Sequence, residues 1–265
     1  MARGGFRMLR ALAGMEAVVA TSRHAFARHT HDRFGIGVIE RGAQKSLSGR
    51  GVVEAGAGDV ITVNPGEVHD GLPIDEAGRD WKILYLDPVI VCDVVRDISE
   101  GRAATAEFPY PVMQDERIAA GFHSLFASVT GEASDGLASE ERLVALLAIA
   151  LRERPDARPA PSVAIAAARS LIDDDPLGPI TLAKLAKVSG LSRFQLLRAF
   201  AKATGFTPHA YLIQRRIDLA RGLIVRGTAL AEAALASGFA DQSHMTRVFV
   251  RKYGVSPGAY AAAMT

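Results

Sequence analysis

The 265-residue sequence predicts an α+β protein of two domains, a β-rich N-terminal body followed by an all-α C-terminal module. Three observations carry that expectation. Short apolar runs parted by glycine-rich turns fill the first third of the chain. The apolar spacing then lengthens from two residues to nearer 3.6, the change from strand to helix. In the last third one pattern is written twice, the mark of a duplicated unit.

Residues 16–88 hold the strand-like text: AVVATS, FGIGVIERG, GVVEAGAGDVITVNPGEVHDG and WKILYLDP. Short strands at this spacing argue for a sandwich or a barrel. Residues 39–42 and 57–59 read as hairpin ends. Trp81, Ile83 and Tyr85 alternate onto one side of a strand, with Lys82, Leu84 and Leu86 on the other, so Trp81 and Tyr85 are expected in the interior. Further on, residues 116–129 carry Ile118, Phe122, Leu125, Phe126 and Val129 along one helical side. Residues 139–151 carry Leu143, Leu146, Leu147 and Ala150 likewise, and 131–136 form the turn of an αα-hairpin. Its apolar side suits packing on the β body or contact with a second copy. Residues 152–162, RERPDARPAPS, read as a proline-rich linker. The expected divisions are a β body over 1–110, a hairpin over 111–152, a linker over 153–162 and a helical module over 163–265, whose first helix covers 163–172.

The duplicated pattern runs LAKLAKVSGLSRFQLLRAFAKATGFTPHAY from Leu182 and LAEAALASGFADQSHMTRVFVRKYGVSPGAY from Leu230. The second copy carries one extra residue, Ala240, after which Arg198 matches Arg247, Phe200 matches Phe249 and Gly205 matches Gly254. Each copy scans as a short helix, a tight turn and a second helix. Gly190 suits a left-handed position just past a helix end. Ser192 with Gln195 makes a capping box, Asp241 caps the matching helix, and Thr207-Pro208 and Ser256-Pro257 each place a cap before a proline at the first helical position. Two helices joined by such a turn form a helix-turn-helix, whose second helix can enter the DNA major groove. Leu196, Ala199, Phe200 and Ala203 in the first copy, with Met245, Val248, Phe249 and the Lys252 stem in the second, share inner faces. Arg193, Phe194, Leu197 and Arg198, with Gln242, Ser243, Thr246 and Arg247, are left facing outward as readers of bases. Lys184, Lys187, Lys202, Arg251 and Lys252 are expected to meet phosphates or solvent. Residues 207–225 read as a connecting helix about 28 Å long at 1.5 Å per residue, comparable to the ~34 Å of one DNA turn.

Charge is divided along the chain. From Ala160 onward there are 13 Lys and Arg against 6 Asp and Glu, a balance of +7, and the preceding residues hold 18 against 23, a balance of −5. A basic third on an acidic remainder fits a nucleic-acid-binding module attached to a sensing body. Cys92 is the single cysteine, so no intramolecular disulfide forms. No run approaches the ~20 apolar residues that span a bilayer, and the first 20 residues lack a clean signal-peptide core. The expected location is cytoplasmic.

From about residue 181 to 260 the chain resembles the AraC/XylS family of bacterial transcription regulators, most specifically over GFADQSHMTRVFVRKYGVSPGAY. Departures fall at Leu197, Met245 and Ala261. His29-Thr30-His31 and Asn64-Pro65-Gly66-Glu67-Val68-His69 together resemble the two motifs of cupin barrels, and a cupin-like β-barrel is what such regulators often carry as a ligand-binding domain. The resemblance implies double-stranded DNA and a small-molecule effector as partners, a homodimer, contact with RNA polymerase, and activation as a common outcome. His29, His31, His69, Trp81 and Tyr85 are the expected effector-binding residues. The cupin metal set also needs a glutamate four residues after the second histidine, where Gly35 stands, with Glu40 five residues beyond. No metal, catalytic residue or cofactor is therefore assigned. Metal chelation, hydrogen bonding to a ligand and a purely structural role all remain open for the three histidines. The competing class is a metal-dependent cupin enzyme with an accessory helical domain, and a third is a dimeric scaffold without DNA affinity. No Ser-His-Asp constellation, phosphate loop or paired-carboxylate motif appears elsewhere in the sequence.

Overall fold

The N-terminal unit is built around β9 (Arg79–Leu86), whose alternating side chains are drawn to two different cores. In the computed structural model, which describes residues 5–9, 11–103, 105–131, 136–153 and 163–264, β9 pairs antiparallel with β2 (Met15–Ser22) and β4 (Phe34–Arg41). Outside these lie β1 (Gly5–Leu9), β7 (Val60–Val63) and β11 (Val112–Met113), giving a six-stranded sheet in the order β1-β2-β9-β4-β7-β11. A second sheet holds β3 (Phe26–His29), β8 (His69–Pro73), β5 (Gln44–Ser48) and β6 (Gly51–Ala55) in the order β3-β8-β5-β6. Among the described residues the hydrogen bonding does not run on into a closed ring, so this is an open, two-sheet form of the β body.

Both faces of the larger sheet are covered. Val18, Ala20, Ile39, Trp81 and Ile83 face Phe26 and Ala55 of the second sheet. Ala17, Ile36, Val38, Leu84 and Leu86 face helices: α1 (Pro88–Ile98), α2 (Glu116–Thr130) and α3 (Gly136–Ala150). That double burial explains why β4 is apolar at nearly every position rather than alternating. The two turns read from the sequence at 39–42 and 57–59 are real, but each carries the chain from one sheet to the other; hairpin pairing joins β1 to β2 and β5 to β6 instead.

The helical hairpin forms as the periodicity requires. Every apolar residue expected on its inner side is buried, and all pack with the sheet in one core. Lys82 anchors the contact, with Nζ 3.1 Å from Glu40 Oε1 and 5.9 Å from the Phe126 ring centre. Helix α1 was not anticipated from the sequence. Asp87 caps it and Pro88 occupies its first turn, and Val91, Val94 and Val95 supply its buried side. At the start of the expected linker, β12 (Arg152–Glu153) pairs with β10 (Ala106–Glu107); the rest, 154–162, lies outside the described residues.

The chain divides into two compact units, Met1–Pro155 and Asp156–Thr265. The second is helical: α4 (Val163–Asp174), α5 (Leu182–Ser189), α6 (Arg193–Thr204), α7 (Pro208–Val225), α8 (Leu230–Ala236), α9 (Gln242–Tyr253) and α10 (Pro257–Met264). Punctuation falls where the sequence places it. Gly190 ends α5 at φ +64°, Ser192 and Gln195 close a capping box on α6, Thr207 caps α7 and Asp241 caps α9. Ile165, Ala168, Ile172, Leu185, Leu196 and Phe200 form the core around the first helix pair.

Candidate functional site

Two groups of side chains carry chemistry, one on the paired helices of the second unit and one at the edge of the smaller sheet in the first. On α6 the buried side is Leu196 and Phe200, both fully inaccessible, which turns Arg193, Phe194, Leu197 and Arg198 outward. Phe194 is 68% exposed, a large desolvation liability left open on a helix face, and the Arg198 guanidinium lies 5.7 Å from its ring centre. On α9 the buried side is Met245, Val248 and Phe249, leaving Gln242, Ser243 and Arg247 exposed and Thr246 half-buried. The two sets occupy matching positions in the repeat. Ala203, expected inside, is exposed, because α6 is nearing its end there and Thr204 turns back to the Phe200 carbonyl.

Lys252 corrects a second expectation. It reaches neither phosphate nor solvent: it is 6% exposed, its Nζ donates to Gln214 Oε1 at 2.9 Å and sits 5.4 Å from the Phe206 ring centre. Gln214 in turn donates to Asp218 Oδ1 at 2.9 Å, joining α9 to α7 through a buried polar network. Burial lowers the Lys252 ammonium to about 8, and burial raises the Tyr253 hydroxyl in the same network. Lys184, Lys187, Lys202 and Arg251 are exposed as expected.

In the first unit, His29 and His69 are cross-strand partners of β3 and β8, with ring centres 4.3 Å apart. His31 lies just past β3 rather than within it, and its carbonyl accepts from Gly66 N at 2.7 Å, which brings the two sequence motifs together. Its ring is 4.9 Å from His29 and 5.1 Å from His69. One nitrogen from each of the three rings lies within 4.8 Å of the others. His29 Nδ1 is 2.7 Å from the Ala27 carbonyl and His69 Nδ1 is 3.1 Å from the Glu67 carbonyl. A carbonyl only accepts, so Nδ1 is the donor in each ring, which in a neutral imidazole leaves the lone pair on Nε2. Burial lowers the pKa of His69, which favours the neutral ring. Tyr85 is beside the cluster, with its hydroxyl 3.5 Å from His31 Nε2. Trp81 shares the Tyr85 side of β9 but packs into the inter-sheet core with Phe6 and Phe26, away from the ring contacts of the cluster. The three imidazoles suit a d-block cation; the cupin carboxylate is absent, since Gly35 occupies its place.

One residue escaped the sequence reading. Arg79, 1% exposed, donates to Gln44 Oε1 and to the carbonyls of His24 and Gly71, and its guanidinium lies 4.9 Å from the Trp81 ring centre. Burial pulls it down to about 10. The signal was present, because an arginine two residues from Trp81 on one strand must share its inward face.

A ligand-binding β unit followed by two helix-turn-helix units defines a transcriptional regulator, and the comparisons place it. Residues 12–147 match the model of the AraC-like ligand binding domain, and 185–263 match a helix-turn-helix domain. The chain belongs to the AraC family of transcriptional regulators. It is 30% identical over 225 residues to the uncharacterized HTH-type transcriptional regulator YbfI of Bacillus subtilis, covering 83% of this chain and 81% of that protein. It is 39% identical over 82 residues to the probable transcriptional regulator LumQ of Photobacterium leiognathi, covering 31% of this chain and 33% of that one. In fold it resembles apo ToxT K231A of Vibrio cholerae, with TM-score 0.60 at 14% identity over 97% of this chain and 100% of that one. Among the described residues no helix is long and apolar enough to cross a membrane.

Proposed function

We propose that this regulator reads double-stranded DNA with Arg193, Phe194, Leu197 and Arg198 of α6 and Gln242, Ser243, Thr246 and Arg247 of α9. The observation that carries the reading is that seven of these eight side chains, all but Thr246, are exposed over matched, buried inner faces. Arginine pairs with guanine edges, glutamine with adenine, and an exposed phenyl or threonine methyl with the thymine methyl. A small effector held in the first unit near His29, His31, His69 and Tyr85, with Trp81 in the core behind them, alters DNA binding or activation. Supporting this, the fold neighbour ToxT has been crystallised with an unsaturated fatty acid. The regulator acts by binding rather than turnover, in the cytoplasm, as a homodimer that contacts RNA polymerase when it activates. For domain boundaries we keep 1–110, 111–152, 153–162 and 163–265.

The test is selection of bound fragments from genomic DNA, followed by gel shifts on the selected site. Arg198→Ala and Arg247→Ala should each weaken binding roughly ten- to hundredfold there and relax the base preference at one position. An equal loss on unrelated DNA would show that both arginines touch only the backbone and overturn the assignment.

A further inference from the structure

The geometry points to a divalent d-block cation held by His29, His31 and His69, with the Tyr85 hydroxyl as fourth donor in place of the carboxylate. This rests on the effector-site reading and gives it a chemistry. Gly35 and Tyr85 are register partners on adjacent strands, so their side-chain positions share a face. A Cβ at position 35 would stand 3.2 Å from Tyr85 Cε1 and 3.4 Å from Ile83 Cδ1. Any longer side chain there, a glutamate included, would have to displace the tyrosine ring. The Tyr85 ring thus occupies the space that a side chain at position 35 would enter.

The donors stand close enough to gather on one ion. Donors bound to one ion at ~2.0–2.1 Å stand roughly 3–3.5 Å from one another. Tyr85 Oη is 3.5 Å from His31 Nε2, and the histidine nitrogens, all within 4.8 Å, close on an ion with side-chain shifts on the order of 1 Å. The Ala27 and Glu67 carbonyls hold His29 and His69 by Nδ1, an arrangement that orients metal-binding imidazoles and directs Nε2 to the ion. Asn64 Nδ2 and the Asn64 and Gly49 amides hold the buried Glu67 carboxylate, which keeps that negative charge near His69 without placing it on the ion. Three imidazole nitrogens and a phenol select zinc, cobalt or nickel over the hard, oxygen-seeking magnesium and calcium.

The test uses the full chain stripped with a chelator and titrated separately with Zn²⁺, Co²⁺ and Mg²⁺. Calorimetric stoichiometry, melting temperature and the visible spectrum of the cobalt form are read. One Zn²⁺ per chain, a raised melting temperature and a four-coordinate cobalt spectrum are expected, with no response to Mg²⁺. His31→Ala, in the loop after β3 where it should not impair folding, should abolish binding; His123→Ala, half-buried on α2 beside Glu40 of β4, should not. Tyr85→Phe should weaken Zn²⁺ binding roughly tenfold and change the cobalt spectrum. No Zn²⁺ uptake, or uptake that survives His31→Ala, overturns the site, and a cobalt spectrum unchanged in Tyr85→Phe overturns the fourth donor. The effector reading is judged separately by gel shift on the selected DNA. Zinc bound without any change in DNA affinity upholds the metal site and removes the effector role from this cluster.

Discussion

Lys252 shows what a buried cation does to this molecule. Its ammonium is drawn down to about 8 from 10.5, because burial disfavours the charged form more than Asp218 favours it. At pH 7 folded and unfolded chains both hold the proton, so folding carries the full cost of burying the charge. Between pH 8 and 10.5 the folded chain has released the proton while the unfolded chain still binds it, so stability rises with pH across that window. The stability of wild type relative to Lys252→Met should therefore rise, by on the order of 3 kcal/mol in all, between urea titrations at pH 7 and pH 10.5. A flat difference would mean that Asp218 already compensates the charge. The same residue marks a limit of sequence reading. Its periodicity shows that the stem points inward, but its partners Gln214 and Asp218 are more than 30 positions away and no local pattern connects them.

At the scale of elements, the repeated helix pairs are equivalent in pattern but not in tolerance. Gly190 and Gly238 both turn the chain in the left-handed region, at φ +64° and +81°. A Cβ on Gly190 meets nothing within 4 Å, whereas one on Gly238 would lie 3.0 Å from both Arg216 Nε and Leu177 Cδ2. Arg216 has little room to retreat, since it donates to the Pro176 and Gly238 carbonyls at 2.9 Å. Gly190→Ala should cost about 1–2 kcal/mol for the backbone alone; Gly238→Ala should cost that plus roughly 1–3 kcal/mol of steric strain. Chemical denaturation of both variants checks the gap, and equal costs would show that Arg216 swings aside. The second unit was legible because caps, glycines and prolines are local signals, read within one helix turn. The β body was legible in kind but not in wiring. Residues 39–42 announce a turn, yet nothing in those four residues says that the next strand joins the opposite sheet. Helix α1 was missed because its inward Val91, Val94 and Val95 sit in a β-branched run that reads as strand or core equally well. In the candidate site the histidine motifs were legible in the sequence, while the pairing of Tyr85 with Gly35 needs the strand register.

For the molecule as a whole, the division of charge makes a claim about affinity rather than fold. The basic balance belongs to the stretch containing α4 to α10, and outside the proposed base readers its exposed cations include Lys184, Lys187, Lys202 and Arg251. Each cation that neutralises a phosphate releases counterions, so binding should fall with salt in proportion to the number of such contacts. Side chains that read bases and side chains that neutralise phosphates can then be separated in one experiment. Lys202→Ala should lower the slope of log affinity against log salt by about 1 and leave base preference unchanged. Arg198→Ala should change base preference. Lys252→Met should do neither, although it carries the same formal charge as Lys202, because its ammonium is committed to Gln214 and never reaches the duplex. Affinities measured on the selected site across a salt series decide among these. If Lys252→Met shifts the slope as Lys202→Ala does, the buried network that joins α7 to α9 must open on DNA.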